Sequence, residues 1–260
     1  MIFDTHAHYD DDRFDVDRDQ LLGNTLRAAG IRKVMNVAAD LDSVDSTNEL
    51  SLRYNDVYAA LGVHPSEVDP LTDADMDHIR DLTEENPKVR AIGEIGLDYH
   101  YEDSDPALQE KWFIRQIELA KELDYPIVVH SRDAAEDTMR ILARFYEKNS
   151  QRINGVVHCY SYALPDARQY VNRGFMIGVG GVVTFKNSRK LKEVVSEIPL
   201  SSIVLETDAP YLAPVPFRGE RNDSTRLTYV VEAIAEIKNI SPEQVENVTY
   251  ENAMRLYGLS

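Results

Sequence analysis

A single cysteine, Cys159, stands among 260 residues. An intramolecular disulfide is therefore excluded, in keeping with a reducing compartment. No apolar run approaches the roughly 18 residues of a membrane span. The N-terminal stretch also lacks the basic region and hydrophobic core of a secretory signal. A cytoplasmic protein with no membrane partner is the expectation. Gly/Ser-rich linkers and low-complexity tracts are missing too, so one folded domain over 1–260 is expected. Basic charge is scarce: 28 Lys plus Arg against 45 Asp plus Glu give a net −17. That balance repels polyanions on average and argues against sliding along DNA on a basic face. Exposed charges more than about 8 Å apart are largely screened, so a site for an anionic substrate must bring its own positive charge. No Gly-x-Gly-x-x-Gly follows the first strand-like run, which weakens a dinucleotide-binding sheet.

Short β-rich runs do recur, at 2–8, 33–38, 57–63, 89–95, 126–130, 154–159, 175–180 and 202–206. Ile127-Val128-Val129 and Ile203-Val204-Leu205 are continuously apolar, as parallel strands covered by helices are. Between the runs, apolar residues fall at helical spacing: Leu22, Leu26 and Ala29; Trp112, Ile114, Ile117 and Leu119; Met139, Leu142 and Phe145. Eight strands, each followed by a helix, predict an α/β fold, a single-domain (β/α)8 TIM barrel.

Histidines and carboxylates add an independent pattern. His6 and His8 stand one residue apart at the end of the first run, where a strand turns both imidazoles to one side. His64 follows the third run, Glu94 ends the fourth, His130 the fifth and His158 the sixth, and Asp208 follows the eighth. All lie at carboxyl ends, the face on which such barrels gather functional groups. Singly, each has an ordinary alternative: a frayed end for His6 and His8, a turn contact for His64, a salt bridge for Glu94. For His130 and His158 it is a satisfied core imidazole, and for Asp208 a backbone cap. Glu94, however, sits in an apolar strand, where an unpaired carboxylate is costly enough to require a cation or donors. His78 and His100 fall outside the pattern and read as surface residues; Cys159 reads as core.

Together these side chains can hold two divalent metal ions. One assignment gives His6, His8, Glu94 and Asp208 to the first and Glu94, His130 and His158 to the second, with Glu94 bridging. Such a pair, about 3.5 to 4 Å apart, turns water into a nucleophile and stabilises the oxygens of a phosphodiester displacement. Two dications against two carboxylates leave a floor of about +2, opposite in sign to the chain. The ligand set leaves Mg²⁺, Mn²⁺ and Zn²⁺ open.

The ordered motifs resemble the TatD-related metal-dependent deoxyribonucleases. They are Asp4-Thr5-His6-Ala7-His8, Gly62-Val63-His64-Pro65, Gly93-Glu94-Ile95-Gly96-Leu97-Asp98, His130-Ser131-Arg132-Asp133-Ala134, His158-Cys159-Tyr160-Ser161, Glu206-Thr207-Asp208-Ala209-Pro210 and Arg218-Gly219-Glu220-Arg221-Asn222. The resemblance spans nearly the whole chain. It implies an amidohydrolase-type TIM barrel with its metal centre at these positions, acting on DNA strands or strand ends, often from the 3′ end. Two departures stand out. Glu220 occupies a place where the family often has a basic residue, and Tyr160 one where Phe is common.

Roles follow as expectations. Asp208 accepts a proton from the attacking water and Glu94 holds both ions. Arg132, Arg218 and Arg221 offer guanidinium geometry suited to phosphate, and His64 orients a substrate phosphate. Tyr160 and Tyr211 offer rings for stacking bases. Two other readings remain: a metal-dependent esterase, lactonase or D-aminoacyl-tRNA deacylase on the same centre, and a non-catalytic scaffold with structural metal. The sequence does not set the oligomeric state; a monomer is the default expectation.

Overall fold

The computed structural model describes residues 1–101, 105–147 and 154–259. Eight parallel strands follow one another in chain order around one sheet: β1 (Ile2–Ala7), β2 (Ile31–Val37), β3 (Val57–Leu61), β4 (Val89–Asp98), β5 (Ile127–Arg132), β6 (Gly155–Val157), β7 (Met176–Val179) and β8 (Ile203–Leu205). Helical segments follow each strand and cover the outside, the last two being Leu227–Lys238 and Pro242–Leu256. This is the expected (β/α)8 barrel. Among the described residues, no helix is long and apolar enough to cross a membrane.

Period-2 alternation sorts the strand residues into two cores. Ile127, Val129, Ile177 and Leu205 pack outward against the helices. Phe3, Met35, Ala60, Ala91, Val128, Val156, Met176 and Val204 fill the interior, large residues facing small ones, and Ala253, Leu256 and Tyr257 of the last helix join this inner cluster. Two residues beyond Val128, Val156 and Val204 come His130, His158 and Glu206, so the same alternation lifts polar groups above an apolar plug. Strand ends differ from the expected runs in one consequential way. Glu94 lies inside β4, not at its end, because β4 and β5 keep pairing through Gly96 with His130 and Asp98 with Arg132. Glycine is required at 96: its φ is 153°, and a Cβ there would fall 1.9 Å from the His130 carbonyl oxygen. The helix carrying Leu22 and Leu26 ends at Ala28, leaving Ala29 exposed.

The seam between β1 and β8 closes beyond the short last strand. Asp208 N–H donates to His6 O at 2.9 Å and His8 N–H to Ala209 O at 2.7 Å. Asp4 fastens it. Its buried carboxylate accepts from Thr207 N–H at 3.0 Å, Thr207 Oγ1 at 2.6 Å and Ser224 Oγ at 2.6 Å. Asp4→Ala strands these buried donors, so urea unfolding should show a loss of about 3 kcal/mol. Burial pushes the Asp4 carboxyl up to about 7 in spite of its donors. The folded chain thus keeps a proton that the unfolded chain releases above about pH 4, and this group's stabilisation declines as pH rises towards 7. Asp4→Asn should flatten the stability profile across that window.

Candidate metal centre

Glu94 is the hub of the cluster and only 3% exposed. Its Oε1 lies 2.8 Å from His130 Nδ1, 3.1 Å from His158 Nε2 and 4.0 Å from His64 Nε2, and its Oε2 lies 3.4 Å from His6 Nε2. His6 Nε2 and His8 Nε2 are 3.2 Å apart, and Asp208 Oδ1 is 3.8 Å from the first and 3.4 Å from the second. Asp208 reaches them from a left-handed backbone position, φ 57°, where the chain leaves β8. Asp tolerates that conformation better than most residues. All six side chains expected to ligate metal therefore meet in one cluster: His6, His130 and His158 around the Glu94 carboxylate, and His8 and Asp208 beside His6. Four imidazoles and two carboxylates form a donor set that fits divalent cations.

Outer contacts orient several of these rings. His8 Nδ1–H donates to Val37 O at 2.7 Å, which turns Nε2 towards the cluster. His64 is different. Its Nδ1 accepts from Ser66 N–H at 3.1 Å, so the neutral ring carries its proton on Nε2, the atom facing Glu94. Although His64, Glu94 and His130 are close enough to surround an ion, that tautomer makes His64 a hydrogen-bond donor rather than a ligand. His130 stands between two carboxylates, its Nε2 3.1 Å from Asp98 Oδ2. His158 has Glu206 Oε1 3.7 Å from its Nδ1. Sequence reasoning gave Asp98 and Glu206 no role; Glu206 carried a signal as an acid at the end of an apolar strand-like run, whereas Asp98 joins β4 only because that strand continues past residue 95.

Electrostatics follow from burial and crowding. Desolvation works to raise the pKa of Glu94, yet the imidazoles of His158, His6 and His130 hold it well below the usual carboxylate range. Desolvation works to lower His158, but Glu94 and Glu206 lift it well above an ordinary imidazole. His8 rises to about 9 against its own burial, chiefly through Asp208. Burial takes His64 down to about 4, so its ring is neutral near pH 7. The expected floor charge of about +2 counted only Glu94 and Asp208; Asp98 and Glu206 bring two more acidic side chains against the same imidazoles, so that figure is too high.

The outer residues divide. Tyr160 is buried, 3% exposed, its hydroxyl donating to Ala163 O at 2.9 Å. Packing against Tyr162 and Tyr170 takes away its expected stacking face. Arg221 is committed to Asp17 through two contacts of 2.7 and 2.6 Å and also donates to Arg13 O. It ties the loop after β8 to the loop after β1, which is a structural task rather than the expected phosphate contact. Arg132 is exposed at the end of β5, 5.7 Å from the Tyr101 ring centre, and Arg218 is exposed over Phe185. Tyr211 is 49% exposed, 6.5 Å from the His8 ring, with Arg13 stacked over it. His78 and His100 pair at the surface with Asp45 and Asp133. Cys159 is half-buried in a left-handed turn beyond β6.

A parallel barrel with a histidine–carboxylate cluster at the carboxyl ends of its strands defines a metal-dependent hydrolase of the TIM-barrel type. The model of the family described as TatD related DNase matches residues 3–258. The chain belongs to that family. It is 39% identical, over the full length of both chains, to YabD of Bacillus subtilis (strain 168), described as an uncharacterized metal-dependent hydrolase. YcfH of Escherichia coli (strain K12), described in the same words, is 34% identical over 99% of this chain and 96% of its own. Among solved structures, YjjV, a TatD homolog from Escherichia coli K12, superposes with a TM-score of 0.92 at 30% identity, covering 100% of this chain and 98% of that one.

The Arg221–Asp17 pair is part-exposed, and screening limits such pairs to about 1 kcal/mol or less. Arg221→Ala should therefore lower unfolding stability by about that amount. It should leave divalent-cation affinity, read by titration calorimetry, unchanged.

Proposed function

We propose that the chain hydrolyses DNA phosphodiester bonds from a strand end, 3′ to 5′, using two divalent cations held at the cluster. The observation that carries this reading is the convergence on Glu94, a buried carboxylate within 4.0 Å of four imidazole nitrogens. His6, His8, Glu94 and Asp208 would hold one ion, and Glu94, His130 and His158 the other. Bound there, the pair would supply an acidified water and charge neutralisation for the phosphate.

The chain's own groups account for the remaining steps. Asp208 is held below its ordinary value by His8, against the upward push of burial. It is therefore ionised at neutral pH and placed to accept the proton of the water that attacks phosphorus. His64 is neutral and directs Nε2–H into the cluster, where it donates to a non-bridging phosphate oxygen. Arg132 and Arg218, both exposed, meet the phosphates further along the strand. Tyr211 offers a ring beside His8 on which a terminal base stacks. Family membership and the metal-dependent hydrolases among its relatives support the reaction class.

One feature favours a second reading on the same centre. A cleft of about 380 Å³ is lined by Glu67, Asp69, Asp98 and Asp105, and reaches the cluster through Asp98, which contacts His130. Those acids suit an ester carrying a positive group, such as an aminoacyl ester, better than a polyanion.

End-labelled single-stranded and duplex DNA, incubated with the chain and Mn²⁺ or Mg²⁺, separates the two. The nuclease reading predicts progressive shortening from the 3′ end, abolished by chelator and lowered at least about 100-fold in kcat by Asp208→Asn. Intact DNA alongside turnover of an aminoacyl ester would establish the second reading instead.

A further inference from the structure

We infer that Glu206 is a positioning residue that acts through His158, presenting the His158 Nε2 to the cation; this rests on the metal-centre reading above. Three observations meet at this carboxylate. First, it is a buried acid, 1% exposed, and its Oε2 has no hydrogen-bond partner among the described residues. A buried polar atom without a partner is costly, so its retention calls for a task. Second, the neighbouring imidazole has the complementary gap. His158 Nδ1 is also without a hydrogen-bond partner and lies 3.7 Å from Glu206 Oε1, while His158 Nε2 faces Glu94.

Third, the carboxylate is held in place by features with no other evident purpose. Cys159 N–H donates to Oε1 at 2.5 Å, which aims that oxygen at the residue next to Cys159, His158 itself. Gly178 on β7 leaves the space: a Cβ at that position would fall 2.2 Å from Glu206 Oε2. The chain thus keeps a glycine, a backbone donor and a buried acid in register with one ring. A carboxylate behind a ligating histidine fixes its tautomer and ring orientation and raises its basicity. Glu206 supplies this for His158 as Val37 O does for His8.

Calorimetric titration of the full chain with Mn²⁺ tests the inference. Glu206→Ala should weaken affinity by about 10- to 100-fold, the usual cost of losing such an outer partner. Glu206→Gln, which keeps an acceptor oxygen for His158, should retain most of the affinity. Gly178→Ala, which leaves the carboxylate in the chain but displaces it, should reproduce the alanine loss without removing any charge. A second readout excludes a merely structural effect. In ¹⁵N-histidine spectra of Zn²⁺-loaded chain, His158 should hold one tautomer with the proton on Nδ1, and lose it in Glu206→Ala. Wild-type affinity and an unchanged His158 tautomer in both alanine variants would overturn the inference. A wild-type chain that takes up no divalent cation would contradict the metal-centre reading on which it stands.

Discussion

The carboxylate of Glu94 has been taken out of water and surrounded by imidazoles, and the rest of the site is arranged around that fact. A buried carboxylate left alone would neutralise itself by binding a proton. Here it is held ionised instead, with ring nitrogens at 2.8 and 3.1 Å from one oxygen and at 3.4 Å from the other. Imidazoles facing a carboxylate in this way can act as protonated donors or can turn their lone pairs to a shared cation. The Nδ1–H bond of His8 to Val37 O fixes its ring so that Nε2 faces Asp208 and the cluster. Glu206 stands behind His158 and can orient that ring in the same way.

The barrel makes this arrangement cheap to hold. Parallel strands put alternate residues on the inside, and the inner layer of Val128, Val156 and Val204 fills the space below. One step of the alternation above them are His130, His158 and Glu206, supported from beneath by packed hydrocarbon. His6, His8 and Asp208 depend on the one place where the strand ladder is incomplete, the seam beyond β8. There the hydrogen bonds of Asp4 to Thr207 and Ser224 replace strand pairing. The first residue of the Asp4-Thr5-His6-Ala7-His8 motif thus holds the seam, and the two histidines use it. At the rim, the Arg221–Asp17 pair ties the same two loops together.

Much of this was legible in the sequence because two short-range rules sufficed. Alternation set the strands, and the position of each histidine at the end of an apolar run marked the face on which imidazoles and carboxylates gather, so the barrel and the membership of the cluster could both be read without tertiary information. What escaped depended on partners distant in sequence. Tyr160 looks like a stacking ring until Tyr162 and Tyr170 close over it. Arg221 looks like a phosphate contact until Asp17, 204 residues away, takes its guanidinium. Glu206 was visible as an acid ending an apolar run and Asp98 lay beyond its run, but only the fold shows that each stands behind a particular imidazole. Their presence also makes the floor less positive than Glu94 and Asp208 alone would leave it.

Anomalous diffraction from crystals grown with Mn²⁺ tests the central claim most directly. Two peaks should lie on either side of the Glu94 carboxylate, one near His6, His8 and Asp208 and the other near His130 and His158. Density showing no ion within coordinating distance of Glu94, with its carboxylate satisfied by protonated imidazoles alone, would contradict it.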